Sequence, residues 1–443
     1  MSRDYGKKRN RNPDFRARVN MPAPQVEEIE TELKRMLTPR LFAPLRQGAG
    51  MAKELRNRVL TLPAMMAIVV SLVLRQVCSL SEMLRMLARE GALWLEPTTV
   101  SKQALSKRMA VLPAELFARM FDEVVKEIPA PPKELPGQSE WNEVLGRFGA
   151  VYLADGSTLE SLRKKLKTLK EKPGAVLGGK MMMVVDAFTR APVRVGYTED
   201  PAVNDKKFVD QIVEALPVGG LLVFDLGFFS FILFDLLADT GKFFVTRLRE
   251  KTAYRVVEVL SSGAYYKDEI IEMGQYRSNP CRHRVRLVSV LWNGTWYLYL
   301  TNVRSPEVLS ARQVCELYRR RWRIEEAFLL TKRLLGLSYL WVGSTNGVAI
   351  QVYATWIFYA VLINLCVEVA QALGRPIEQI SVEMVFRSLY HFSRAQQRGE
   401  NPILIEFLVK HAQLFGLVKA IRKRHRLRDT QTQIVWADRA ALS

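Results

Sequence analysis

The chain has 443 residues, 49% of them hydrophobic and 25% charged; this can bury cores for about three domains and excludes a wholly disordered chain. Its four cysteines, Cys78, Cys281, Cys315 and Cys366, are too few and too scattered for a disulfide framework, and no two have zinc-site spacing. Sixty-five Lys+Arg against 45 Asp+Glu leave a net charge of +20, which calls for a polyanionic partner: nucleic acid first, an anionic membrane surface second, with a basic protein lacking any such ligand as the plain alternative.

Residues 1–25 read as a basic arm. The first 20 carry seven Lys/Arg and two Asp with no apolar pattern, which suits lying on phosphates and suits solubility equally. No apolar stretch follows that would form an export signal. The longest apolar run, Val352 to Val367, has 16 residues and contains Asn364, short of the ~20 that a bilayer crossing needs. It and the shorter Leu62–Leu74 are expected to be buried core helices. The chain is therefore expected in the cytoplasm, with no membrane partner.

Residues 26–129 read as a helical DNA-binding domain. Helices are expected over Ser79–Arg89, capped by Ser81, and Thr99–Leu112, capped by Thr98 or Thr99. The second carries Ser101, Lys102, Gln103, Ser106, Lys107 and Arg108, a composition that suits the major groove. The intervening residues, with Gly91 and Pro97, are longer than a usual helix-turn-helix connection. An ordinary bundle with a basic solvated face fits the same residues. Residues 130–147, rich in Pro, Gly and polar side chains, read as a linker.

Residues 148–250 turn strand-like. FGAVYLAD ends at Asp155; GGKMMMVVDAF and PVRVGYTED form a hairpin turning near residues 189–192; GGLLVFDLGF carries Asp225. FSFILFDLLADTG has helical spacing and ends at Gly241, and KFFVTRL is a further strand. Three strands, a connection, then strand–helix–strand is the order of a ribonuclease-H-like α/β core. Residues 251–305 are a β-rich insertion holding Trp292 and Trp296. Residues 306–372 supply further core helices, and 373–443 a helical, basic C-terminal region in which Lys419 to Arg428 includes six Lys/Arg. No internal repeat is present.

Asp155 and Asp225 each close an apolar strand and meet a glycine within two residues. Strand carboxyl ends are where open α/β sheets bind ligands, although a lone aspartate there is usually a turn or cap residue. Residues 318–332 read YRRRWRIEEAFLLTK. At ~100° per residue, Tyr318, Arg321, Glu325 and Lys332 fall within about 60° of one another. That row flanks a stripe of Leu317, Ile324, Phe328 and Leu335 expected to bury against a sheet. Glu326 and Arg323 point elsewhere, so Glu325 is the expected cleft carboxylate. A solvated helix with i,i+4 ion pairs or snorkelling side chains is the plainer reading.

The spacing Tyr-x2-Arg-x3-Glu-x6-Lys, here Tyr318, Arg321, Glu325 and Lys332, resembles the signature of DDE-type bacterial insertion-sequence transposases, in the Y-R-E-K branch of the insertion sequence four family. The resemblance extends to ADGSTL around Asp155, DLGFFS around Asp225 and FFVTRLR beyond it, covering residues ~145–370. Two blocks depart. Relatives often carry Asp-Arg-Gly-Tyr where this chain has Asp225-Leu226-Gly227-Phe228, so Leu226 and Phe228 receive no DNA role. A His-Asp pair of some relatives stands here as Asn204-Asp205 and is left unassigned.

The resemblance implies a DNA transposase that cuts at the ends of its element and joins them to target DNA. It makes Asp155, Asp225 and Glu325 the catalytic carboxylates and the ligands of two Mg²⁺, for which Mn²⁺ can substitute. Hard divalent cations want oxygen ligands, and such a pair activates the attacking oxygen and stabilises the leaving one. Tyr318, Arg321 and Lys332 would grip phosphates. Trp322 would either stack on a base pulled from the duplex or pack in the core; Trp296 is a second stacking candidate. The implied partners are double-stranded DNA and a second copy of the chain bound with it, and some relatives with a β insertion form a DNA hairpin intermediate. Residues 7–18, Lys102–Arg108, 163–172 and Lys419–Arg428 are basic clusters for DNA, Lys102, Lys107 and Arg108 foremost. A related nuclease without strand transfer, or a DNA-binding regulator with an inactive core, are the alternatives.

Overall fold

The computed structural model describes residues 27–36, 59–77, 79–128, 139–160 and 176–419. The basic arm 1–25, the cluster 163–172 and the C-terminal basic stretch beyond Lys419 lie outside the described residues.

The N-terminal helices are α1 (Glu27–Met36), α2 (Leu62–Leu74), α3 (Leu80–Glu90), α4 (Lys102–Val111), α5 (Glu115–Glu127) and α6 (Ser139–Phe148). The caps differ from expectation. Ser79, not Ser81, accepts from the Glu82 N–H, because Leu80 is buried and belongs to the helix. Ser101, not Thr98 or Thr99, caps α4; the Thr98 hydroxyl instead donates to the Glu96 carbonyl. Helix α6 overturns the expectation that residues 139–147 are linker. Trp141, Val144 and Phe148 are buried at helical spacing, and that stripe outweighs the polar composition around it.

The ribonuclease-H-like core is built from β1 (Val151–Glu160), β2 (Val176–Asp186), β3 (Pro192–Thr198), α7 (Val209–Ala215), β4 (Leu221–Phe224), α8 (Phe231–Asp239) and β5 (Phe243–Arg247). The strands lie in the order β3-β2-β1-β4-β5. β1, β2 and β3 are antiparallel neighbours, whereas β4 and β5 run parallel to β1. Side chains alternate between two cores: Leu153, Met181, Met183 and Val223 enter one, Ala154, Met182, Val184 and Phe224 the other. Burial on both faces explains why these strands read as unbroken apolar runs.

Residues 251–305 extend this sheet. β6 (Tyr254–Ser262), β7 (Tyr266–Met273), β8 (Val285–Trp292) and β9 (Thr295–Thr301) form an antiparallel array whose last strand pairs with β5 through Val245↔Thr301. Buried Arg286 grips Asp268 with two bonds, at 2.7 and 2.6 Å, and donates to the Leu309 carbonyl at 2.6 Å. It thereby fixes the strap that leads out of β9.

The helices α9 (Ala311–Arg320), α10 (Arg323–Leu329), α11 (Thr345–Ala372), α12 (Val382–Gln397) and α13 (Leu404–Lys410) follow. Ser310 and Gln313 close a reciprocal cap on α9. Helix α11 is apolar all round and packs against α2, α4 and α5. It is long and apolar enough to cross a membrane, yet 89% of its most apolar stretch is buried inside the protein. The N-terminal helices, α11 and one face of the sheet share a single core, so the helical region 26–129 has no separate core of its own among the described residues.

Candidate active site

The sheet register brings the two aspartates together. Asp155 does not end its strand: β1 continues to Glu160. What ends is the parallel pairing, because β4 stops at Phe224, opposite Ala154. Asp155 and Asp225 are the next residues on these neighbouring chains, which run about 4.8 Å apart. The two-residue period sets both on the face of Leu153 and Val223, the face covered by α9 and α10.

The helix opposite them is not uniform. Between α9 and α10 the backbone tightens, with Ile324 N–H bonded to the Arg321 carbonyl and Glu325 N–H to the Trp322 carbonyl. Residues 330–334 then widen into a π turn, in which Leu335 N–H reaches the Leu330 carbonyl. The even 100° spiral expected over 318–332 is therefore corrected. Its apolar stripe holds all the same: Leu317, Ile324, Phe328 and Leu335 are buried. π turns often mark functional positions, and this one carries Lys332.

The break turns polar side chains onto the carboxylates. Arg321 Nη1 lies 2.5 Å from Asp155 Oδ2, and Nε lies 3.7 Å from Asp225 Oδ1. The Tyr318 hydroxyl donates to Asp225 Oδ1 at 2.9 Å. Both residues are buried, so each meets an acidic partner inside the protein rather than standing open to a phosphate. Lys332 Nζ donates to Ser157 Oγ at 2.6 Å, two residues along the strand from Asp155. Glu325 is exposed beside this group. Glu326 turns away, to Arg190 at 3.3 Å and Lys419 at 3.0 Å, and Arg323 pairs with Glu378 at 2.7 Å.

The Asp155 carboxyl is pushed up to about 6. Burial is the main cause; Arg321 and the Gly156 N–H pull it back, while Asp225 and Glu325 push it further. All three carboxylates thus lie in one electrostatic field. Burial and the charge of Asp225 also raise the Tyr318 phenol. Among the described residues no three acidic, His or Cys side chains stand close enough to hold an ion as they are. Arg321 covers one oxygen of Asp155, and Tyr318 takes one of Asp225. The donor set is nonetheless all oxygen and carries three carboxylates, which fits a hard divalent cation.

Residues 147–361 match the family model described as a transposase DDE domain. This segment belongs to that family. The chain is 26% identical over 228 residues to a protein of Sinorhizobium fredii named as a transposase, y4zB, a match covering 49% of this chain and 61% of that one. It is 25% identical over 166 residues to a Synechocystis protein named as a transposase for insertion sequence element IS4SA, covering 36% and 45%. The chain thus spans about half the length of these curated relatives. A solved piggyBac transposase synaptic complex with hairpin DNA aligns over 90% of this chain and 85% of that one, at 12% identity and a TM-score of 0.36.

Within the DDE domain, Trp322 is 59% exposed, with the Arg321 guanidinium 5.1 Å from its ring centre. This removes the packed-core alternative. Trp296 is half-exposed on β9, and Lys267 lies 5.8 Å from its ring. On α4, Lys102 and Lys107 are exposed, whereas Arg108 is half-buried and donates to the Leu60 carbonyl at 3.0 Å. The DDE domain also holds residues that sequence reasoning missed: Ser157, Lys180 and Asp205 near Asp155, and Arg249, which donates to the Leu226 carbonyl beside Asp225. All four stand in stretches whose pattern is noted above, but the sequence gives none of them a partner.

Proposed function

We propose that the chain is a DNA transposase of the Y-R-E-K branch, which cuts DNA at the ends of its element and transfers the ends to a target. The observation that carries this reading is the register of Asp155 beside Asp225 on one face of a DDE domain, with Glu325 in the same field. The net charge of +20 suits a double-stranded DNA partner, and the matched relatives are named as transposases. A homodimer on DNA is part of the proposal, because joining two ends requires both in one complex.

Asp155, Asp225 and Glu325 would hold the divalent cations, Mg²⁺ or Mn²⁺. When bound, these ions supply Lewis-acid stabilisation and a more acidic attacking water or 3′-OH. The chain's own groups set the stage. Arg321 balances the carboxylates from behind and Tyr318 orients Asp225. Lys332, at Ser157, offers a point charge to a phosphate lying along β1. Exposed Trp322 gives a base a face to stack on.

The test is incubation of purified protein with Mg²⁺, a labelled element end and a plasmid target. Cut ends joined to plasmid are expected. Cutting without joining would make the protein a nuclease. Glu325→Gln should abolish cutting with DNA binding retained; unaltered cutting would reject the assignment.

A further inference from the structure

We propose that Asp205 is a positioning residue for Asp155 and Asp225, its carboxylate wedged between strand β1 just after Asp155 and the turn that follows Asp225. The inference rests on the DDE reading above and gives a role to a residue which that reading leaves idle.

The observation is a pair of close approaches. A Cβ built on Gly156 would lie 2.2 Å from Asp205 Oδ1, and one built on Gly227 would lie 2.3 Å from Asp205 Oδ2. Gly156 follows Asp155 directly, and Gly227 stands two residues after Asp225. Neither glycine has the positive φ that would call for glycine on backbone grounds. Their missing side chains are explained by the space the carboxylate fills. One oxygen thus seats against the strand at Gly156 and the other against the turn at Gly227.

Charge holds the wedge in place. Lys180 Nζ lies 2.7 Å from Asp205 Oδ1 and donates to the Val203 carbonyl at 3.0 Å. Oδ1 is buried and has no donor aligned for a hydrogen bond, so the ion pair anchors it. Lys180 sits on β2 opposite Thr158, which ties the wedge to the strand beside β1. Asp205 acts through Gly156 and Gly227: it sets the separation of the aspartates that precede them. A shift of about 1 Å between such groups can cost on the order of a hundredfold in rate.

The experiment compares Asp205→Ala, Asp205→Asn, Gly227→Ala and the Asp205→Ala/Gly227→Ala double variant. The readouts are Mn²⁺ binding by electron paramagnetic resonance, cleavage of a labelled element end, and thermal melting. Asp205→Asn keeps the shape but loses the charge that anchors it to Lys180, and should fall between wild type and Asp205→Ala. Asp205→Ala should weaken Mn²⁺ binding and cleavage about tenfold or more, as expected for loosened positioning. Gly227→Ala should do the same, because its methyl and Oδ2 cannot share one space. In the double variant the methyl enters the vacated space, and part of the loss should return. Asp205→Ala within twofold of wild type in both Mn²⁺ binding and cleavage, or Gly227→Ala equally harmful with and without Asp205, would overturn the proposal. Glu325→Gln serves as the separate control. If it keeps Mn²⁺ binding and cutting, the DDE reading falls, and the melting coupling between positions 205 and 227 still decides whether the wedge exists.

Discussion

The Arg321 guanidinium reaches Asp155 across 166 positions of chain and stands 2.5 Å from its Oδ2. A buried cation therefore occupies one oxygen of a carboxylate that the proposed function assigns to metal. On the metal-binding reading proposed above, a divalent cation would compete with Arg321 for the same oxygens, and the site's behaviour without metal follows from Arg321.

Arg321→Met removes the resident cation and leaves Asp155 beside Asp225 and Glu325 unbalanced. Breaking a buried pair from one side costs about 3–5 kcal/mol. The metal-free variant should melt well below wild type. Millimolar Mg²⁺ should then raise its melting temperature by more than it raises that of wild type. Equal Mg²⁺ shifts in the two proteins would reject the competition.

Acidity gives a second check. The Asp155 carboxyl titrates near 6 in the fold against an ordinary value of 3.8, because burial opposes its charge. The unfolded chain releases this proton more readily. Stability from the protonated form is thus complete below pH 4 and is lost as pH rises through about 6. A displacement of that size is worth roughly 2–3 kcal/mol. In urea denaturation without metal, Asp155→Asn should gain on wild type by about that amount between pH 4 and 7.5. A difference that stays flat with pH would contradict it.

Much of this was legible in the chain because apolar patterning survives local irregularity. The succession of strands and helices in the core, and the burial of Leu317, Ile324, Phe328 and Leu335, follow from apolar patterning. What stayed hidden depends on partners remote in sequence. Tyr318 and Arg321 read as phosphate ligands, since nothing local shows that a turn without Gly or Pro would fold them onto Asp225 and Asp155. Asp205 was left without a role for the same reason: the one proposed above depends on two absent side chains, at Gly156 and Gly227. The continuity of β5 with β9 is likewise a register fact that composition does not carry.

The Arg286–Asp268 pair offers a test of the sheet extension. Both side chains are buried, and Arg286 also satisfies the Leu309 carbonyl just before α9. Arg286→Met should cost about 3–5 kcal/mol, because it strands a buried carboxylate. Adding Asp268→Leu should recover part of that loss, since an apolar pair needs no desolvation. Denaturant titration of the single and double variants measures the difference. A double variant no more stable than the single would place the cost in the freed strap carbonyl instead.

Trp322 separates recognition from folding most cleanly. Its ring is largely exposed and its main neighbour is the Arg321 guanidinium. Trp322→Ala should therefore change stability by less than about 0.5 kcal/mol. If a DNA base stacks on the ring, the loss in binding should be about 1–3 kcal/mol, or roughly five- to a hundredfold. Trp322→Phe should restore most of it, because stacking needs a π face more than an indole. The slope of log affinity against log salt should stay unchanged, as no phosphate loses its cation. Affinity unaltered by Trp322→Ala on an element-end duplex would leave the ring with no part in DNA recognition.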